Sequence, residues 1–337
     1  MLENNGVHTV QFSGPMKSFT MDSAALGTGM AFLIGELEKR DPKLLEPMVS
    51  TTWARDIVAS TGGGWVDFSS NVFVDYATTG ANKRGIIGGQ TTAIPVLQAN
   101  ITKDNYRVFT WANVVKVPFV DQQKLQGIGR SLDQIYDKGL RLNYNKALDE
   151  NVYFGFSEFG TEGLVNNSNI TASMAADNAA GDSKKWVDKT PDEILNDVNT
   201  AITNAWANSG YDNEGIPNHI GLPPLVYSYI VGTKVSQAAD KSILNYLLEN
   251  NIAKANGVDL QIVPMRQLIS AGVGDVGRMI AYVNKEDKVT FDITVPLSRV
   301  MTAPSVADMA YLSAYAGQMG QVKFLYTQCV EYVDGIS

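Results

Sequence analysis

Cysteine occurs once in 337 residues, as Cys329, so the chain cannot close an internal disulfide and suits a reducing compartment. Histidine occurs twice, as His8 and His219, far apart in sequence and without metal-ligand spacing to other candidates. Charged residues make up only 18% of the chain, below the roughly one quarter usual for a soluble domain, so partners are expected to cover part of the surface. The net charge of −8 argues against the basic face that tight nucleic-acid binding requires. No stretch approaches the roughly 20 apolar residues of a membrane span. Residues 1–16 lack a basic cluster followed by an apolar core, so no signal peptide is expected. Internal repeats and low-complexity tracts are also missing.

Chemistry-bearing constellations fare no better. Gly272–Val273–Gly274–Asp275–Val276–Gly277 spells a dinucleotide fingerprint, but it precedes a strand pattern instead of opening a helix, so it reads as a loop. Ser157 lies between Gly155 and Gly160 at the wrong spacing for a nucleophile elbow. The acid pairs Asp149–Glu150 and Asp192–Glu193 fall at helix ends. His219, following Pro217 and Asn218, is expected on a surface loop, and Cys329 as an apolar filler in a strand. No cofactor, metal site or catalytic residue is expected. A soluble carboxylate-dependent enzyme stays as a remote alternative, one that would show convergent acids in a pocket.

What is present is pattern. Residues 1–45 read as an arm carrying a short helix over 23–39. Val66, Phe68, Val72, Val74 and Tyr76 alternate with polar residues at strand period. The polar stretch 78–90 then supplies Gly80, Lys83, Arg84, Gly85, Gly88 and Gly89, a turn or tip. Its only charges, Lys83 and Arg84, are either solvated or the polar anchor of a projecting loop on a neighbour. Pro95 lacks a donor, which places the return on an edge or outside a regular sheet. A second strand is expected over 106–117, after turn residues Asp104 and Asn105. A long two-stranded excursion is marginal alone in water, so a neighbouring molecule is expected to cover it.

Residues 121–153 read as one long helix of roughly 45 Å, striped by Leu125, Ile128, Leu132, Ile135 and Leu142, with Leu140, Tyr144, Ala147 and Leu148 in its second half. Thr190, Pro191 and Glu193 form a capping-box start for a helix lined by Ile194, Val198, Ile202 and Trp206 and ended by Gly210. Beyond it the patterns predict a strand-like run at 225–231, a helix over 237–255 closed by Gly257, and a strand at 258–263. A hairpin of 278–283 with 289–295 follows, then a closing strand region at 322–333. Regular βα alternation is missing, which excludes a doubly wound fold.

This order resembles the major capsid proteins of tailed bacteriophages, with the Hong Kong 97 phage fold that encapsulins share. The resemblance covers roughly residues 50–337. Ile94–Pro95–Val96 is similar to the return of that family's E-loop, and the helix around 125–153 to its spine helix. Asn151–Val152–Tyr153–Phe154–Gly155, followed by Gly163–Leu164–Val165–Asn166, resembles the family's helix exit. Tyr332–Val333–Asp334–Gly335–Ile336 resembles its closing segment. Met319–Gly320–Gln321–Val322 departs from the Arg-Gly-Gly-Val run often found before the last strand.

The resemblance implies an α+β fold with an N-terminal arm (1–50) and an E-loop with flanking strands (51–120). It further implies a peripheral domain with the spine helix (121–189), an axial domain (190–300) and closing peripheral strands (301–337). Function would then be a coat protein forming hexamers and pentamers of an icosahedral head around double-stranded DNA, bound without sequence specificity. Scaffold, portal and decoration proteins would be its further partners, no membrane would be involved, and assembly would occur in the host cytoplasm. The alternative within the fold is an encapsulin-type compartment shell. Some relatives form a Lys–Asn crosslink from the E-loop; Lys83 is placed for it, but no matching partner motif is present.

Overall fold

The computed structural model describes residues 7–10, 19–22, 51–79, 94–127, 132–236 and 240–337. They fall in two compact units, Met1–Ser50 and Thr51–Ser337. In the first unit, β1 (Val7–Val10) pairs antiparallel with β2 (Phe19–Asp22), a hairpin the arm reading did not include. The helix expected over 23–39 lies outside the described residues.

The second unit opens with α1 (Trp53–Asp56), β3 (Val58–Thr61), β4 (Phe68–Thr79) and β5 (Val96–Pro118). Asp104 and Asn105 do not form a turn. They sit inside β5 opposite Asn71 and Ser70. The long helix is described as α2 (Phe119–Gly127) and α3 (Leu132–Tyr153), with 128–131 outside the described residues. Next come β6 (Ala172–Met174) and α4 (Pro191–Asn208), whose Thr190 side chain accepts from Glu193 N while Glu193 accepts from Thr190 N, the expected capping box. Gly210, at φ 74°, turns the chain out of α4.

Several later elements differ from the sequence reading. After β7 (His219–Leu222), residues 225–231 are not a strand but belong to α5 (Pro224–Gly232). Their β-branched and aromatic side chains favour strands, yet Pro224 fits the first turn, and Val226 and Ile230 are buried one turn apart. The expected helix over 237–255 is α6 (Ile243–Asn250) followed by α7 (Ile252–Ala255). Between them Asn251 is extended, and its side chain accepts from Lys254 N at 2.7 Å, starting a new helix. β8 (Gln261–Pro264) begins later than expected.

The expected hairpin is overturned. β9 (Arg278–Tyr282) and β10 (Val289–Ile293) join different sheets, because β9 already has β7 on one edge and the closing strand on the other. β11 (Val295–Ser305) and β12 (Ala310–Gly320) form a long antiparallel pair. The closing region is two strands, β13 (Val322–Phe324) and β14 (Val330–Asp334), in separate sheets. Cys329 is buried on the short 3₁₀ turn Thr327–Cys329 between them, not within a strand.

Sheet orders are β13-β10-β3, β11-β12-β5-β4 and β6-β14-β9-β7-β8. The five-stranded sheet separates two cores. Ile280 and Tyr282 of β9 join Tyr144, Leu148, Val152, Leu164 and Phe291 on one side. Met279 and Ala281 join Trp186, Ile194, Val198, Ile202 and Leu222 on the other. A strand with both faces buried reads as a continuous apolar run, which is what Met279–Ile280–Ala281–Tyr282 is.

The exit of α3 shows why its glycines are where they are. Gly155, at φ 72°, reverses the chain, and the returning Leu164 N and Val165 N donate to Val152 O and Tyr153 O at 2.8 and 3.1 Å. These carbonyls would otherwise be orphaned at the helix end. Asn166 finishes the cap: its Nδ2 donates to Phe154 O at 2.9 Å, and its Oδ1 accepts from Gly163 N at 2.7 Å.

Candidate assembly surface

β5 belongs to two structures at once. Its inner half, from Val108 to Pro118, pairs with β12, so the body's own sheet covers it. Among the described residues its outer half, from Val96 to Arg107, pairs only with β4. The result is a two-stranded ribbon; at about 3.3 Å per residue the twelve residues of β4 span roughly 40 Å.

Directly opposed residues of an antiparallel pair share a face. The register therefore puts Phe68, Val72, Val74 and Tyr76 of β4 on one face with Leu97, Ile101, Lys103 and Arg107 of β5. The six large apolar side chains named on this face are 46% to 67% exposed, although strand alternation alone would have turned them inward. The opposite face rests on the body only at its root, from Ser69 to Phe73, and is largely exposed beyond it. Ser69 Oγ donates to Asp292 Oδ2 at 2.6 Å, and Lys323 Nζ donates to Ser69 Oγ at 2.7 Å and Asn71 Oδ1 at 3.3 Å. Lys323 also pairs with Asp292 and lies 5.4 Å from the Tyr106 ring centre, while Phe73 meets Tyr326 edge-on at 6.3 Å. Polar contacts thus fix which way the ribbon faces.

Behind the ribbon, two buried carboxylates hold α1. Asp149 is not an idle helix-end acid: its Oδ1 accepts from Thr52 N at 2.8 Å and Trp53 N at 3.2 Å, and its Oδ2 from Gln267 Nε2 at 3.1 Å. Asp56 is fully buried, bound by Arg55 at 2.6 and 2.9 Å and by the Tyr153 hydroxyl, while Tyr282 donates to its backbone carbonyl. His219 overturns its surface assignment. The loop ends at Asn218, and His219 opens β7, buried, with Nε2 3.7 Å from Asp56 Oδ1. That separation is too long for a hydrogen bond, and Nε2 has no hydrogen-bond partner among the described residues.

Burial alone would raise the Asp56 carboxyl. The adjoining His219, Arg55 and Tyr153 outweigh it and hold the group below the ordinary carboxylate range. Burial and the Asp56 charge push the Tyr153 hydroxyl far upward, so it stays a donor. An aspartate, a histidine and a tyrosine in mutual reach would be suited to proton transfer in an open cleft. Here all three are sealed in the core, where the Tyr153 hydroxyl bonds Asp56 and Thr52 and so ties α1 to α3.

Of the residues singled out from sequence, Gly80, Lys83, Arg84, Gly85, Gly88, Gly89 and Ile128 lie outside the described residues. Leu125 and Leu132 fall in α2 and α3. Ile135 and Leu142 are half-buried, and the deeper face of α3 is instead Leu140, Tyr144, Leu148 and Val152. Tyr144 explains the rotation: it packs on Trp111 of β5 with ring centres 5.3 Å apart, and burial pushes its hydroxyl up to about 12. Leu97, Ile101 and Lys103 were missed because the Asp104–Asn105 turn assignment hid the outer half of β5; Arg107 lay inside the expected second strand but was not singled out. The Gly272–Gly277 segment is a loop, as read; its amides donate to Val276 O, Asp334 and Ser337 Oγ. Among the described residues no group of His, Cys, Asp or Glu is arranged to hold a metal ion, and no helix is long and apolar enough to cross a membrane.

No curated protein matches this chain. Solved structures do. The capsid of Myoviridae phage XM1 is 17% identical, with 90% of this chain and 98% of that chain covered and a TM-score of 0.72. The capsid of the native GTA particle, 9% identical, covers 89% and 95% at a TM-score of 0.57. The bacteriophage PhiM1 mature capsid, 11% identical, covers 88% and 91% at 0.54. These similarities establish the Hong Kong 97-type α+β capsid fold. Residues 83–336, most of the chain, match the sequence model described as major capsid protein. A ribbon standing off the body, a long helix crossing its base, and that match together place the chain in the major capsid protein family.

Proposed function

We propose that copies of this chain assemble as hexamers and pentamers into an icosahedral phage head enclosing double-stranded DNA. The observation that carries the reading is the β4–β5 ribbon, whose outer half turns an apolar face to solvent without cover from the described residues of its own chain. A surface of that kind is expected to be buried on another molecule. In this reading residues 1–50 are an N-terminal arm and 51–120 an E-loop with its flanking strands. Residues 121–189 and 301–337 form a peripheral domain, and 190–300 an axial domain. The tip residues Gly80, Lys83, Arg84, Gly85, Gly88 and Gly89 reach the adjoining subunit, and the Leu125, Ile128, Leu132, Ile135 and Leu142 stripe stiffens the spine. With a net charge of −8 the shell encloses DNA without gripping its sequence. Portal, scaffold and decoration proteins are the further partners of such a head, assembled in the host cytoplasm.

Deletion of residues 80–90, or Gly85→Pro, is expected to leave a soluble subunit that forms no shells in negative-stain electron microscopy. Normal particles from the deletion would overturn the ribbon's role. Particles filled with protein instead of DNA would favour the compartment-shell alternative.

A further inference from the structure

The exposed face of the ribbon is not uniformly apolar. Lys103 and Arg107 lie on it, opposite Val72 and Phe68, and neither forms an ion pair among the described residues. The same face of β5 continues inward, where odd-numbered residues Phe109 and Trp111 are covered by their own chain. Phe109 packs on Phe156 at 5.3 Å and on Phe159 at 5.1 Å, and Trp111 on Tyr144. The α3 exit is therefore the surface that this face of β5 already accepts. The cover stops at Phe159, which is still 52% exposed, and from Arg107 outward the face is bare.

The α3 exit has chemistry complementary to the bare part. Phe154, whose amide donates to Glu150 O, lies one turn beyond Glu150, and both are exposed. Glu158 and Phe159 follow on the 3₁₀ turn Ser157–Phe159, also exposed. Lys146 stands one turn before Glu150, but from there to Lys184 the sequence contains neither lysine nor arginine, so along the chain Glu150 has one cation within a turn and Glu158 has none. Neither forms an ion pair among the described residues.

We infer that the apolar, cationic face of the ribbon docks on the α3 exit of a second copy, with Lys103 and Arg107 meeting Glu150 and Glu158 around the exposed Phe154 and Phe159. This rests on the shell-forming reading above and adds the face and the receiving patch. A copy's own helix exit then covers the inner half of the β5 face, and a neighbour's covers the outer half. Opposite charges set the register and speed encounter, while the aromatic and aliphatic side chains supply the burial.

Charge exchange tests it on the full-length chain. Shells are quantified by sedimentation and negative-stain microscopy, and folding by circular dichroism. Lys103→Glu with Arg107→Glu is expected to lower shell yield roughly tenfold or more, as is Glu150→Lys with Glu158→Lys. All four together should restore most of it. Lys103→Gln with Arg107→Gln, a milder change, should give an intermediate yield and weaken the dependence of assembly on ionic strength. Full yield from either reversed pair overturns the inference and leaves the shell reading standing. So does a loss that the combination fails to restore. A wild-type chain that forms no shells overturns the shell reading itself, and this inference with it.

Discussion

Arg278 and Asp334 are bound twice, at 2.7 and 2.9 Å, with both side chains almost fully buried. Arg278 also donates to Val165 O at 2.8 Å, and Asp334 accepts from Val273 N at 3.0 Å, so one pair ties the α3 exit, the glycine loop and the last strand together. Asp334→Asn leaves the guanidinium buried without its counter-charge. A loss of about 3–5 kcal/mol is expected in chemical denaturation. Glu331 works the other way. Burial raises its carboxyl above the ordinary value, against the pull of Ser173 and Asn204. The folded chain then holds that proton more tightly than the unfolded one, so the group's contribution is fully present in acid and is lost as pH rises through the raised value. Glu331→Gln keeps an acceptor for Ser173 and removes the charge. It should raise the thermal midpoint at neutral pH and change it little at a pH below the ordinary glutamate value, which a pair of melting curves would show.

At the scale of elements, the α3 exit depends on close backbone approach. A Cβ on Gly163 would meet the Tyr153 backbone, and one on Gly155 the Thr161 carbonyl. Gly163→Ala is therefore expected to cost more than about 2 kcal/mol and to loosen amide-exchange protection at Leu164 and Val165. The sequence signalled this exit only as a family-like motif; its reason is the pair of carbonyls that the returning chain satisfies. Local chemistry read well where it was decisive, as with Thr190 and Glu193 at the start of α4. It failed where tertiary burial decided the outcome. Val226 and Ile230 could serve a strand or a helix, and Asn251 divides a helix whose apolar stripe runs on through Ile252. Asp104 and Asn105 are turn formers that the β4 ladder holds extended. His219 carries no local mark of burial, since its partner Asp56 lies far away in sequence.

At the scale of the whole molecule, the five-stranded sheet is shared by both cores of the Thr51–Ser337 unit. Neither core can lose its sheet while the other keeps it. Ile202→Ala on one side and Phe291→Ala on the other should each cost about 2–5 kcal/mol and shift a single common unfolding transition. Two separate transitions by circular dichroism and tryptophan fluorescence would count against this shared dependence.

The double membership of β5 has a mechanical consequence. A tug on the ribbon travels along one unbroken backbone into the Val108–Pro118 ladder, where it loads the hydrogen bonds to β12 side by side in shear instead of peeling them one at a time. Strain entering at the rim of the subunit is thereby spread across its middle, and the ribbon behaves as a cantilever rooted in the sheet, not as a tether.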